Sequence, residues 1–285
     1  MSDILTARRR YAQKIAAAAG GGGSALERAF EAFPREQFVG PPPWLIESIA
    51  GFVQSDDPLA LYDDVLVSLA ADRGINNGQP SLHAQCLAAL AIRQGESVIH
   101  AGAGTGYYTA ILSELVGPGG MVHAYEVERD LAHIAASNLV HRPWVRVQAA
   151  SVCDAPLPAT DVMYVNAGAS HPPASWLDAL REGGRLLFPL TADDGIGAML
   201  LVTHLGRQRY RARLFTSVAF IACQGARRVA DAAAVATALR TRNRARVKSL
   251  WRNQPPDETA WCVGTDWWLS TAEVTAADGK PGERG

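Results

Sequence analysis

Cysteine is scarce and scattered in this chain. The four, Cys86, Cys153, Cys223 and Cys262, lie far apart and form no Cys-x-x-Cys pair, which argues against a disulfide framework or a zinc knuckle and fits a reducing compartment. The seven histidines show no His-x-x-His spacing and no clustering with cysteine, so no metal site is expected. Long hydrophobic runs are also missing. No window approaches the roughly 18 apolar residues of a membrane span, and the alanine-based stretch behind Arg8, Arg9 and Arg10 is too weak for an export signal. A cytoplasmic protein is the expectation. Net charge is nearly absent as well: 27 basic and 28 acidic side chains leave −1, which excludes the long-range field of a dedicated nucleic-acid binder.

What is present is an ordinary globular composition, 48% hydrophobic and 19% charged over 285 residues, enough for a sizeable core in one or two domains. Residues 4–19 read as a short helix ended by Gly20 to Gly23, and 24–33 as a second helix broken by Pro34. The prolines of Phe38-Val39-Gly40-Pro41-Pro42-Pro43 force an extended or turning path. From residue 95 the pattern is regular. Strand-like runs at 97–101, 121–127, 145–149, 162–165 and 185–189 alternate with helix-like runs at 107–116, 131–139 and 174–180. Two further strand-like runs, 198–204 and 214–223, suit an antiparallel pair at a sheet edge. The expected fold is therefore α/β: a doubly wound, Rossmann-like sheet with an antiparallel edge strand pair and a C-terminal helical appendage. Expected boundaries are 1–23 for a flexible or helical leader, 24–226 for the main domain and 227–285 for the appendage, whose last residues, 271–285, are expected to fray.

One motif carries chemistry. Gly102-Ala103-Gly104-Thr105-Gly106 follows a strand and opens a helix, where backbone N–H groups and the helix dipole can hold a polar ligand close to the chain. Glu126 ends the next strand 20 residues beyond Gly106, the spacing at which a carboxylate reaches the ribose hydroxyls of an adenosine cofactor. A dinucleotide fingerprint would need glycine at Tyr107; the register Gly-x-Gly-x-Gly favours S-adenosylmethionine instead.

The residues resemble those of the protein-L-isoaspartate O-methyltransferases. The resemblance begins at Phe33-Pro34-Arg35-Glu36-Gln37-Phe38-Val39 and passes through Leu61-Tyr62-Asp63-Asp64, Gln79-Pro80-Ser81-Leu82-His83-Ala84 and 98–107. It continues in Gly183-Gly184-Arg185-Leu186-Leu187-Phe188-Pro189 and reaches Phe220, so that it spans residues 28–225. It implies a class I S-adenosylmethionine-dependent methyltransferase acting on a carboxylate of a protein or peptide. By the same resemblance Ala101, Gly102, Gly104, Thr105 and Gly106 hold the methionine part of the cofactor, Glu126 the ribose, and Ser151 or Asp154 the adenine. Gln79 borders the cofactor at the methyl-transfer pocket.

His100 stands where members of that family place an acid, and Asn76-Asn77-Gly78-Gln79-Pro80 replaces the family serine that orients the substrate carboxylate. Asn76 and Asn77 are the candidate catalytic residues, because an Asn side chain both donates to a carboxylate and accepts from an amide. The other reading of the same residues is an Asn-Asn-Gly turn that satisfies its own backbone. A substrate carboxylate, with an ordinary pKa near 4, is already ionised at pH 7 and needs no general base, which accords with the absence of a Ser-His-Asp or Cys-His constellation. Two alternatives stay open: a methyltransferase with another small-molecule or peptide substrate, and a cofactor-binding homologue without repair activity. His83 reads as a packed or surface residue, and Asn166 as a strand-end residue with or without a pocket role. In the tail, 227–250 carries seven basic residues against one acid, followed by Trp251, Trp261, Trp267 and Trp268. A helix packed on the core with the tryptophans over the ligand opening is preferred to an RNA-binding helix.

Overall fold

The computed structural model of the chain describes residues 2–20, 24–48 and 51–274. The expected glycine break falls mostly at residues 21–23 and the expected fraying mostly at 275–285, outside the described residues. The chain divides into two units, 1–150 and 151–285, taken in turn.

The first unit opens with α1 (Ser2–Ala18) and α2 (Ala25–Ala32). Ser24 caps α2 by accepting from the Glu27 N–H at 3.3 Å, the Ser-x-x-Glu start signal. α1 buries Tyr11, Ala12, Ile15 and Ala16, spaced as one helical face, and Tyr11 packs edge-on against Phe30 of α2. Four short strands follow: β1 (Trp44–Ser48), β2 (Gly51–Ser55), β3 (Leu66–Ala70) and β4 (Ile75–Asn76). They form an antiparallel sheet ordered β2-β1-β3-β4 around Val39, Trp44, Ile46, Leu61 and Val67. Alternating β and α signals do not announce this sheet, because its strands are short and lie between prolines and acidic turns.

α3 (Pro80–Leu90) starts with proline at its first position and ends on Ala91 in a left-handed conformation, φ 48°. Then comes the regular part: β5 (Ser97–Ala101), α4 (Tyr107–Val116), β6 (Met121–Glu126), α5 (Arg129–Asn138) and β7 (Val145–Ala149). β5 pairs parallel with β6, and β6 with β7, in the registers Val98↔Val122 and Val122↔Val145. Parallel strands buried on both faces read as continuous apolar runs, which is why these elements fall within two residues of their expected bounds.

The second unit contains β8 (Thr160–Val165), α6 (Ala174–Asp178), β9 (Leu180–Thr191), β10 (Ile196–His204) and β11 (Tyr210–Ala219). β8 and β9 are parallel; β10–β11 is the expected antiparallel pairing, and β9–β10 is antiparallel as well, which the sequence pattern does not announce. The tail adds α7 (Val229–Thr241) and three strands, β12 (Ser249–Arg252), β13 (Ala260–Val263) and β14 (Trp267–Ser270). β12 continues antiparallel from β11, followed by β14 and β13.

Two expectations for the tail are corrected here. The basic segment is not one helix: α7 holds only Arg240 of the seven, and Arg227, Arg228 and Arg242 serve the unit's own structure. Arg227 donates to the Thr191 hydroxyl and the Asp193 carboxylate, each at 2.8 Å, Arg228 pairs with Asp266 at 2.6 Å, and Arg242 donates to the Trp261 carbonyl at 2.8 Å. The tryptophans are built into the strands: Trp261, Trp267 and Trp268 are 2–4% exposed, and Trp251 stacks on Trp268 at 5.7 Å. Among the described residues no helix is long and apolar enough to cross a membrane.

Candidate functional site

The turn between β5 and α4 exists because glycine tolerates what it asks of the backbone. Gly102, Gly104 and Gly106 take φ of 74°, 55° and 95°. A Cβ at Gly104 would meet Leu69 of β3 at 3.2 Å, and one at Gly106 would meet Leu139 at 3.0 Å. The Gly102 and Ala103 amides donate to the Tyr125 carbonyl at 2.9 and 3.2 Å, which binds the turn to the end of β6. Next to it, one oxygen of Glu126 accepts from the Gly104 N–H at 2.6 Å and the other from the Glu128 N–H at 3.0 Å. Glu126 is 6% exposed. Burial raises its pKa, against the pull of its backbone hydrogen bonds. A desolvated carboxylate thus sits over a turn whose central residue has no side chain.

Two further anchors set the turn. The Thr105 hydroxyl donates to the Phe38 carbonyl, and Asn138 Nδ2 donates to the Thr105 carbonyl at 2.9 Å. The segment 33–39 is therefore tied to the glycine turn 67 residues away in sequence. Ala101, the last residue of β5, is buried. His100 is fully buried beside it, its Nδ1 2.8 Å from the Thr109 hydroxyl on α4. Burial lowers its pKa to about 3, so the imidazole is neutral and joins β5 to α4 in the core.

The segment between β4 and α3 reaches the start of α4. The Tyr108 hydroxyl donates to the Gly78 carbonyl at 3.2 Å, and His83 stacks on Tyr108 with ring centroids 3.5 Å apart and planes 9° apart. Any Cβ at Gly78 would collide with the His83 ring. The first unit thus brings Asn76 to Gln79 together with the helix that the glycine turn opens. His83 is packed, as the sequence pattern indicates, and burial lowers its pKa well below the ordinary value.

The two asparagines divide between the two readings. Asn76 is exposed and its side-chain oxygen accepts from the Gly78 N–H at 2.9 Å, the self-satisfied turn. Asn77 is 6% exposed; its oxygen accepts from the Val67 N–H at 2.9 Å and from Arg35 at 3.4 Å, while its buried Nδ2 has no hydrogen-bond partner. An orphaned buried donor costs about 1–3 kcal/mol, so this one is a place where a ligand oxygen would be gained. Gln79 is exposed and donates to Asp64 at 2.8 Å, and the same carboxylate accepts from the Ser81 N–H and hydroxyl at the start of α3.

In the sequence Arg35 stands out only as part of the motif 33–39. It is fully buried and donates to the carbonyls of Leu61 at 2.5 Å, Asp63 at 3.1 Å and Val65 at 2.6 Å as well as to Asn77. Among the described residues no carboxylate pairs with it. This positive charge holds the loop 61–65 and the Asn77 oxygen together, a role with no local sequence signature because its acceptors are backbone carbonyls.

Ser151 and Asp154 open the second unit. The Ser151 hydroxyl donates to the Gln224 carbonyl at 3.4 Å and accepts from the Cys153 N–H at 3.1 Å, so it is engaged in its own loop and with the segment after β11. Asn166 directly follows β8 and is half-buried.

A family model described as "Protein-L-isoaspartate(D-aspartate) O-methyltransferase (PCMT)" matches residues 46–228. A protein-L-isoaspartate O-methyltransferase of Thermotoga maritima is 31% identical over 172 residues, 58% of this chain and 50% of the relative. One from Methanothermobacter thermautotrophicus is 26% identical over 230 residues, 76% of this chain and 95% of the relative. Thus the match spans half of the first relative and nearly all of the second. Among solved structures, a protein-L-isoaspartate O-methyltransferase aligns with TM-score 0.65 at 24% identity, over 76% of this chain and 66% of that one. A putative one from Plasmodium falciparum, in complex with S-adenosyl-L-homocysteine, aligns with TM-score 0.62 at 17% identity, over 76% and 98%. At these identities the structural likeness is one of fold, the Rossmann-like methyltransferase fold expected above. The family-model match takes in well over half the chain, including the glycine turn, Glu126 and the Asn-Asn-Gly segment, and on that extent the chain belongs to the protein-L-isoaspartate(D-aspartate) O-methyltransferase family.

Proposed function

We propose that this protein is an S-adenosylmethionine-dependent methyltransferase that esterifies isoaspartyl carboxylates of proteins and peptides. The observation that carries the reading is the Glu126 carboxylate closed on the Gly104 amide of a Gly-x-Gly-x-Gly turn. The site fits the cofactor: the positive φ of Gly102 and Gly104 leaves the turn without side chains, and each Glu126 oxygen has a lone pair beyond its backbone bond. When bound, S-adenosylmethionine supplies an electrophilic methyl group on a sulfonium sulfur.

The chain's own residues do the rest. Ala101, Gly102, Gly104, Thr105 and Gly106 border the methionine part, Glu126 accepts from the ribose hydroxyls, and Ser151 or Asp154 serves the adenine by family resemblance. Asn77 donates its free N–H to one oxygen of the acceptor carboxylate, leaving the other oxygen to attack. No proton has to be removed, because the acceptor is already an anion at pH 7. Asn76 and Gln79 shape the rim through the turn and through Asp64. Binding and orientation, rather than acid–base chemistry, thus carry the catalytic burden. A cytoplasmic location belongs to the same proposal, supported by four scattered cysteines with no Cys-x-x-Cys pair.

Calorimetric titration with S-adenosylhomocysteine, followed by methyl transfer to an isoaspartyl peptide and its aspartyl counterpart, tests the reading. Binding to the wild type, none to Gly104→Val, and turnover confined to the isoaspartyl peptide is the expected result. Equal turnover on both peptides, or none with the cofactor bound, would overturn the acceptor assignment; absence of binding would overturn the cofactor.

A further inference from the structure

The loop that opens the second unit contains a feature the methyltransferase reading does not use. Cys153 is half-buried, and Cys223, 6% exposed, follows β11 by a few residues. One hydrogen bond and one close approach join the two segments. The Ser151 hydroxyl donates to the Gln224 carbonyl at 3.4 Å and accepts from the Cys153 N–H at 3.1 Å, while the Cys223 N–H donates to the Gly168 carbonyl at 2.8 Å. Gly225 comes so near that a Cβ on it would lie 2.7 Å from Cys153 Cβ and 3.3 Å from its sulfur. Both cysteines are free, and the Cys223 thiol donates to the Gln224 carbonyl at 3.9 Å, next to the Gly225 that approaches Cys153.

The two sulfurs differ in character. The Cys223 thiol, then Ser151, lower the Cys153 pKa against burial and the Asp154 charge. Cys223 is pushed the other way, first by its partner and then by burial, and stays protonated. Thus a more accessible sulfur that ionises more readily lies beside a buried one that keeps its proton, the arrangement of an attacking and a resolving thiol. Cys86 and Cys262 are buried, and burial pushes Cys262 up to about 12.

We propose that Cys153 and Cys223 form an oxidisable dithiol whose co-reactant is a hydroperoxide, and that its disulfide weakens cofactor binding by pulling the 151–154 loop onto the 222–225 segment. In the first step the Cys153 thiolate attacks the peroxide: an S–O bond forms, the O–O bond breaks, and the departing oxygen leaves as water after taking a proton. In the second, the Cys223 sulfur attacks the Cys153 sulfenic acid. The S–S bond forms, the S–O bond breaks, and the hydroxide leaves as a second water with the Cys223 proton. Two thiols lose two electrons and one hydrogen peroxide gains them. The disulfide brings the sulfurs to roughly 2.05 Å across two segments that already approach each other at Gly225 and Cys153. The effect on cofactor binding rests on the proposed assignment of Ser151 or Asp154 to the adenine; the chemistry of the thiols does not.

The test treats the full-length reduced protein with hydrogen peroxide in slight excess, maps its peptides by mass spectrometry, and titrates S-adenosylhomocysteine before oxidation, after it, and after reduction. A Cys153–Cys223 linked peptide two hydrogens lighter, with cofactor affinity lowered at least tenfold and restored by dithiothreitol, is the expected result. Cys223→Ser should stop at an over-oxidised Cys153 with no linked peptide, and Cys86 and Cys262 should stay reduced. No Cys153–Cys223 link in the folded wild type would overturn the proposal, as would a link with unchanged affinity. If the reduced protein binds no cofactor at all, the cofactor reading fails, and the linked peptide alone decides the dithiol.

Discussion

Asn77 shows how a single side chain answers two demands. Its oxygen holds the β3 backbone and the buried Arg35 guanidinium, and its nitrogen is left for a ligand. Asn77→Asp separates the two roles. A carboxylate there still accepts from Val67 and gains a charge pair with Arg35, so thermal stability should hold or rise. The donor is lost, however, and a like charge faces the acceptor. We expect kcat/KM for isoaspartyl peptide to fall on the order of a hundredfold, about 2–3 kcal/mol, with affinity for S-adenosylhomocysteine unchanged; retained turnover would return Asn77 to a structural part. Glu126 has the opposite balance. Its pKa is raised in the folded state, so it favours folding below the ordinary carboxylate range and works against it as pH rises through the shifted value. Glu126→Gln should therefore raise the melting temperature at pH 7, with a smaller gain near pH 4. It should also weaken cofactor binding by about 1–3 kcal/mol. Differential scanning fluorimetry at the two pH values and calorimetry check both halves.

At the scale of elements, the tail behaves as a folded part of its unit rather than as an interaction arm. Asp231, on the first turn of α7, is 1% exposed and accepts from the Thr265 N–H at 2.7 Å, the Thr265 hydroxyl at 2.8 Å and Trp267 Nε1 at 3.2 Å. Arg228 lies 3.5 Å from the same carboxylate. One buried acid thus fastens α7 to the β13–β14 turn, and the tryptophans close around it. Asp231→Ala strands three donors in the interior and should cost about 3–5 kcal/mol. A urea titration followed by tryptophan fluorescence would show it as a lower midpoint, or as a separate early transition if the tail melts alone. A midpoint within error of the wild type would mean that α7 is held by apolar contacts instead.

At the scale of the whole molecule, stability should depend on pH through buried histidines. His100 has its pKa lowered to about 3 and His83 well below its ordinary value, both through burial. In the unfolded chain they titrate near 6.5. Between those limits the unfolded state binds more protons, so the stabilisation from neutral His100 is complete above pH 6.5 and is lost as pH falls toward 3. Unfolding free energy from urea titrations should fall steadily from pH 7 to pH 4, and His100→Gln should flatten that slope. A wild-type slope no steeper than that of the variant would mean that His100 is protonated in the fold.

Much of this protein is legible in its sequence because the relevant physics is local. The strand, glycine turn, helix and acid of 97–126 follow from apolar runs, from residues able to take positive φ and from fixed spacing, and they stand where the pattern puts them. The antiparallel pair β10–β11 is legible for the same reason. The family resemblance rests on those residues. The four-stranded sheet of the first unit and the strands of the tail are too short to show a period, and only pairing with neighbours makes them strands. Choosing between the two readings of the asparagines likewise required partners 10 and 42 residues away, Val67 and Arg35, which spend the Asn77 oxygen and leave its nitrogen free. Cys153 and Cys223 look unrelated at a separation of 70 residues until the loops after β7 and β11 are packed. Sequence fixes what each segment prefers alone; which polar atoms end up satisfied, and which are left over for chemistry, is decided by burial between segments distant in the chain.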